Sequence, residues 1–200
     1  MAAKIEKFAL AKGHQRYYTK DGTWVPGVTT ITGMLDKPAL KYWANDLGFK
    51  KIDVRTYVDI LAKVGTCAHT MVEADFLGRE PDLSEFSPKE VDLAENRFLK
   101  YLEWRKGKKI VPVANELRMV SERFRCGGTT DIICLVNGVL TLIDIKTSSG
   151  IYPESEMQAS AYADIAREIG HDIIGVMILN IPRSNDEKFL EPEITPEDQK

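Results

Sequence analysis

Only three cysteines occur in 200 residues, Cys67, Cys126 and Cys134, and none forms a Cys-x-x-Cys pair. An odd, scattered set argues against a zinc cage or an iron–sulphur cluster and for a reducing compartment, with the thiols buried as small apolar groups. No apolar run approaches the ~20 residues of a membrane span, so no membrane partner is expected. The opening segment carries Lys4, Glu6 and Lys7 and lacks an apolar core, so it does not read as a secretory signal. Glycine-rich phosphate loops are missing too. With neither Gly-x-x-x-x-Gly-Lys-Ser/Thr nor Gly-x-Gly-x-x-Gly, no nucleotide cofactor is expected. There is no internal repeat, no low-complexity tract and no linker that would split the chain.

What is present is ordinary globular material: 44% hydrophobic and 28% charged residues, enough for one compact domain with a real core. The net charge of −3 hides an asymmetry, because the last fifty residues hold 4 Lys and Arg against 11 Asp and Glu. The body is therefore mildly basic. Its densest basic stretch, 97–109, reads as a solvated helix end.

Residues 15–25 alternate aromatic and β-branched positions around Lys20-Asp21-Gly22-Thr23, which predicts a hairpin. Leu40, Trp43, Ala44 and Leu47 predict an amphipathic helix opening near Pro38, with Trp43 in the core. A second helix over 55–77 carries Tyr57, Ile60, Leu61, Val64, Ala68, Met71 and Val72 on one stripe and stops at Gly78. Ser87-Pro-Lys-Glu90 is a capping box, so a third helix starts there and turns Val91, Ala94, Phe98, Tyr101 and Leu102 inward until Gly107. Strands follow over 110–121, 125–136 and 139–147, then a helix over 153–169 and an apolar strand over 172–181. The polar tail frames an edge strand near Phe189 or a loop. We read one domain over 1–200: an N-terminal hairpin and helices (1–109), a core (110–182) and a tail (183–200).

Asn137-Gly138 is the most informative pair, because a two-residue loop fixes register: strand partners must sum to 275. Val136 then faces Val139, Ile133 faces Leu142, Asp131 faces Asp144 and Thr129 faces Lys146, all on one face; Ile132 with Ile143 and Cys134 with Thr141 take the other. Both faces are apolar for most of their length, as in central strands of an α/β sandwich covered on each side. One end of one face becomes polar, and there two aspartates meet. Two full charges ~5 Å apart at an effective dielectric near 20 repel by about 3 kcal/mol. A shared proton, Lys146 or a cation can offset this, and hard oxygen donors suit Mg²⁺ or Mn²⁺ best. The plainer reading is an Asp–Lys ion pair at a strand end; Asp186-Glu-Lys188 matches the tripeptide equally well in a polar loop. If the turn at 121–124 also has two loop residues, Glu116 lies opposite Thr129 and joins the cluster, unless Gly127-Gly128 bulges the partner strand.

Glu116, Gly128-Thr-Thr-Asp131, Ile143-Asp-Ile-Lys146 and Gln158-x-x-x-Tyr162, preceded by Gly65-Thr-Cys-Ala-His69, resemble the PD-(D/E)XK nuclease superfamily in its RecB-like branch. Pro26-Gly-Val-Thr-Thr30 and the Trp43 helix are similar to segments of phage exonucleases and the mitochondrial genome maintenance exonuclease. The resemblance covers about 24–181. It implies a restriction-endonuclease-like fold, a central mixed β-sheet flanked by helices, with the N-terminal β-hairpin and a helical arch over the site. It implies Mg²⁺ or Mn²⁺ held by His69, Asp131, Asp144 and the carbonyl of Ile145, with Glu116 in support. Gly65 allows close backbone approach, and Glu73 either orients the His69 imidazole or faces solvent. Lys146 positions or deprotonates water, while Gln158, Tyr162, Thr147 and Ser148 contact DNA. The function so implied is a DNA exonuclease of phage-type replication, recombination or repair, cytoplasmic in a bacterial or phage-infected cell and working beside partner proteins. A structure-specific or restriction-type endonuclease is the nearest alternative, and a non-catalytic nucleic-acid-binding module is a third.

Overall fold

The computed structural model describes residues 16–181 and the short strand Glu193–Ile194. A two-stranded hairpin, β1 (Tyr17–Tyr18) and β2 (Trp24–Val25), is followed by four helices: α1 (Val28–Thr32), α2 (Pro38–Phe49), α3 (Val54–Phe76) and α4 (Pro88–Arg105). Then come β3 (Ile110–Ser121), β4 (Cys126–Val136), β5 (Val139–Lys146), α5 (Pro153–Glu168), β6 (Gly175–Asn180) and β7 (Glu193–Ile194). The main sheet has the order β3-β4-β5-β6-β7 and is mixed: β5 and β6 run parallel, joined by the α5 crossover, and the other neighbours are antiparallel. The fold is α/β, as expected, and β7 supplies an edge strand at 193–194; Phe189 lies outside the described residues.

Local chemistry explains the elements. Asn137 (φ 51°) and Gly138 (φ 90°) both take left-handed backbone, the requirement of the two-residue turn that pairs Val136 with Val139. Ser87 and Glu90 form both halves of the capping box at α4, and the Asp53 side chain accepts from the Thr56 amide at the start of α3. The sheet is covered on both faces. Ile133, Leu142, Val176 and Ile178 pack beneath Ala159, Tyr162, Ala163 and Ala166 of α5. On the other face Ile132, Cys134, Ile143 and Leu179 meet Val72 and Phe76 of α3 and Tyr101 and Trp104 of α4. Each Val, Leu, Ile or Phe among them contributes ~1.5–3 kcal/mol by leaving water. All three cysteines are buried.

Several expectations fail where periodicity indicated a stripe but not what covers it. Trp43 is only half-buried, tilted against Tyr57 at 6.1 Å between ring centroids. Leu40, Tyr57 and Ile60 are exposed, as is Leu102 of α4. Nor is the basic stretch a plain solvated face: Arg97 is buried, Arg105 pairs with Asp75 at 2.8 Å and Lys108 lies over the Trp104 ring. The strand irregularity sits between Pro112 and Ala114 of β3; no bulge arises at Gly127-Gly128, where pairing is continuous from Ser121–Cys126 to Leu117–Thr130.

Candidate active site

β4 and β5 follow the 275 register from Val136–Val139 only as far as Ile132–Ile143. There the ladder ends, so Asp131 and Asp144, and Thr129 and Lys146, are not backbone-paired partners. The amide of Ile145 donates instead to Asp131 Oδ2 at 2.7 Å. A side-chain carboxylate has taken the place of a strand carbonyl, and the two strands form a fork with Asp131 in it. Because the N–H and C=O of one strand residue point to the same side, the Ile145 carbonyl faces the same fork. β5 stays rigid through the fork because it remains paired with β6 as far as Lys146–Asn180.

Asp144 is 2% exposed. Its Oδ2 forms a buried ion pair with Lys146 Nζ at 2.7 Å. Lys146 Nζ donates to Gln158 Oε1 at 3.2 Å, and Gln158 Nε2 donates to the Tyr162 hydroxyl at 3.1 Å and, at 3.4 Å, to Asp144 Oδ1. One turn of α5 thus presents Gln158 and Tyr162 together. Tyr162 can lie so low because the neighbouring strand has no side chain: a Cβ on Gly128 would meet its ring at 2.2 Å. Burial raises both carboxylic acids, Asp144 to about 6 against Lys146, which lowers it; Asp131 and Asp144 repel across the fork, and the Ile145 amide and Lys146 pull Asp131 back down.

Glu116 reaches the cluster by a different register from the expected one. The β3–β4 loop has four residues, 122–125, so Arg118 pairs with Thr129, and the pairs Leu117–Thr130 and Asn115–Ile132 bracket Glu116 at the level of Asp131. Its backbone is left-handed (φ 50°), a conformation that costs a non-glycine residue ~1 kcal/mol or more. Solvent reaches Glu116 on one side; partial burial of its carboxyl, then Asp131 and Glu73, push it up to about 7.

From the other face α3 brings His69. A Cβ at Gly65 would stand 2.7 Å from Thr147 Oγ1, so glycine is what lets α3 approach the end of β5. Burial, then the Lys146 charge, hold His69 down to about 4, which keeps its imidazole neutral near pH 7. Glu73 does not hold the imidazole: its carboxylate pairs with Arg79 at 2.7 Å. Ser148 is turned inward, donating to the Gly150 carbonyl at 2.6 Å. Two further residues stand here that the sequence does not assign to the site. Buried Arg97 approaches the Gly65–Thr147 contact and its charge acts on His69. Buried Asn180, with its amide turned to donate, reaches the carbonyls of Lys146 (3.1 Å) and Ser148 (3.0 Å) and so pins the turn leaving β5. Neither stands in a motif; only the fold brings them here.

Among the described residues no three His, Cys, Asp or Glu side chains converge as a ready-made metal cage. By donor chemistry the set still fits a hard divalent cation: a buried carboxylate, a second carboxylate beside it and a neutral imidazole. Lys146 supplies the compensating positive charge in this arrangement.

No protein-family model matches the chain, and no curated protein matches it. Among solved structures, a candidate exonuclease from Eubacterium rectale is similar at 12% identity and TM-score 0.42, over 67% of this chain and 60% of that one. The protein SSO0001 is similar at 15% identity and TM-score 0.35, over 68% of this chain and 66% of that one. The chain thus spans under two thirds of the length of either. No helix among the described residues is long and apolar enough to cross a membrane.

Proposed function

We propose that this chain is a metal-dependent deoxyribonuclease that hydrolyses phosphodiester bonds at DNA ends, accepting single strands, in phage-type replication, recombination or repair. The observation that carries the reading is the fork: the carboxylate of Asp131, which accepts from the Ile145 amide at 2.7 Å, beside buried Asp144, which pairs with Lys146 at 2.7 Å. A structural ion pair at a strand end would have no need of a second, half-buried carboxylate whose charge, added to burial, raises the pKa of the first. Asp131, Asp144, the Ile145 carbonyl and His69 would hold Mg²⁺ or Mn²⁺, with Glu116 in support. Such an ion lowers the pKa of bound water and neutralises charge on the phosphate.

The remaining steps belong to side chains. Lys146, held by Gln158 at 3.2 Å, would orient water or steady the phosphate through Nζ. Gln158 fixes the ammonium and is itself fixed by Tyr162. Asn180 and the Gly65 contact hold the end of β5 so that Asp144 and Lys146 keep their spacing.

Incubation of end-labelled linear, closed circular, single- and double-stranded DNA with Mg²⁺ or Mn²⁺ tests this. Linear substrate should be degraded from its ends, circles spared, and Asp144→Ala and Lys146→Ala proteins inactive. Intact linear DNA under every condition overturns the enzymatic reading; cut circles convert it to an endonuclease.

A further inference from the structure

The N-terminal hairpin is fastened to the same strand that carries Asp131, and its outer face is built of aromatic rings. On its inner side Tyr17 is buried, stands where Gly127 has no side chain and shares a 3.1 Å hydrogen bond with Thr129 Oγ1. Arg118 lies over the Tyr17 ring and donates to the Arg16 carbonyl, so the hairpin is bolted at both its ring and its main chain. Thr129 precedes Asp131 by two residues on β4, about 7 Å along the strand. The outer side is different. Tyr18 and Trp24 are direct cross-strand partners and remain 47% and 57% exposed. Together with Arg16 they line an open cleft of about 380 Å³.

We infer that this outer face, Tyr18 and Trp24 with Arg16, is a stacking platform for an unpaired nucleobase of the DNA strand entering the site. The inference rests on the nuclease reading and names how its substrate is held. A cross-strand pair of rings offers flat π-faces that accept any base, and an adjacent guanidinium suits the phosphate attached to it. Charge in the neighbourhood favours an anionic occupant: Arg16, Lys20, Arg118 and Arg125 outnumber Asp21, which pairs with Arg125 at 3.6 Å, and Glu122, which accepts from the Lys20 amide at 2.8 Å. Rings held rigidly by a two-residue ladder lose little freedom on stacking.

The test is binding of a short oligothymidylate, and of the same backbone with abasic sites, to full-length protein in the absence of divalent metal. Trp24→Ala and Tyr18→Ala should each weaken binding of the base-bearing strand about tenfold, within the range for loss of one base–aromatic stack. Trp24→Phe should recover most of it. Binding of the abasic strand should be unchanged by Trp24→Ala, and Arg16→Ala should weaken both strands. Both rings are exposed, so the variants should keep the wild-type melting temperature. If Trp24→Ala and Tyr18→Ala bind the oligothymidylate as wild type does, the platform is refuted even in a protein that cleaves DNA. If they bind more weakly in a protein that never cleaves, the platform stands and the nuclease reading falls.

Discussion

At the scale of single residues, Asp131 decides the character of the site. Its carboxylate sits where a backbone carbonyl would continue the ladder, so the sheet itself holds a charged oxygen at the fork. The proximity of Asp131, Asp144 and Lys146 was legible because Asn137-Gly138 fixes register; the rupture of the ladder beyond Ile132 was not, since alternation continues through it unchanged. Glu116 was legible as a member and misplaced in register, because Glu122-Arg-Phe-Arg125 contains none of the residues that mark a loop's length. Asn180 was invisible: an asparagine at the end of an apolar strand carries no pattern. It yields a direct prediction. Asn180→Leu should lower stability by about 1–3 kcal/mol, since two buried carbonyl contacts lose their donor, and should cut any nuclease rate by loosening Lys146. A denaturant titration beside an activity assay checks both.

At the scale of elements, α5 and β4 meet through an absence. Gly128→Ala would drive a methyl into the Tyr162 ring. Overpacking of that kind costs about 1–3 kcal/mol, and the displaced hydroxyl should release Gln158 and with it Lys146. Thermal unfolding should show the loss, and Gly138→Ala, at φ 90° with open space around it, should destabilise through backbone strain without disturbing the site. The helix α4 offers a control remote from the fork: Ser87→Ala removes the cap and should cost about 1 kcal/mol with no change in DNA binding. Helix positions were the most legible part of the fold, since Pro38, Ser87-Pro88 and Pro153 each announce an N-terminus. Burial along them was less so. The first half of α3 has the same apolar spacing as the second, yet only the second is buried, against α4 and the sheet, and nothing local records which half is covered.

Across the whole molecule, charge sets the response to pH. Glu168, at the end of α5, accepts from Ser121 Oγ and from the amides of Glu122 and Arg123, tying the helix to the β3–β4 loop. These bonds, the Ser121 hydroxyl foremost, hold its carboxyl below the usual glutamate range, as the Ser87 cap does for Glu90. A carboxylate with a depressed folded pKa contributes stability that is present above the ordinary glutamate pKa and is lost as pH falls through the folded value. Unfolding free energy should therefore decline on acidification below about pH 4.5, and Glu168→Gln should flatten that decline while lowering stability at neutral pH. A denaturant series over pH 3 to 7 measures it. The mildly basic body and the acidic C-terminal fifty residues divide the chain's charge unevenly.

All of this turns on whether the fork between β4 and β5 takes up a divalent cation. Calorimetric titration of Mn²⁺ into the metal-free protein reads that directly. The account predicts saturable binding in wild type, retained in Lys146→Ala and lost in Asp144→Asn; no binding by wild type, or equal binding by Asp144→Asn, would contradict it.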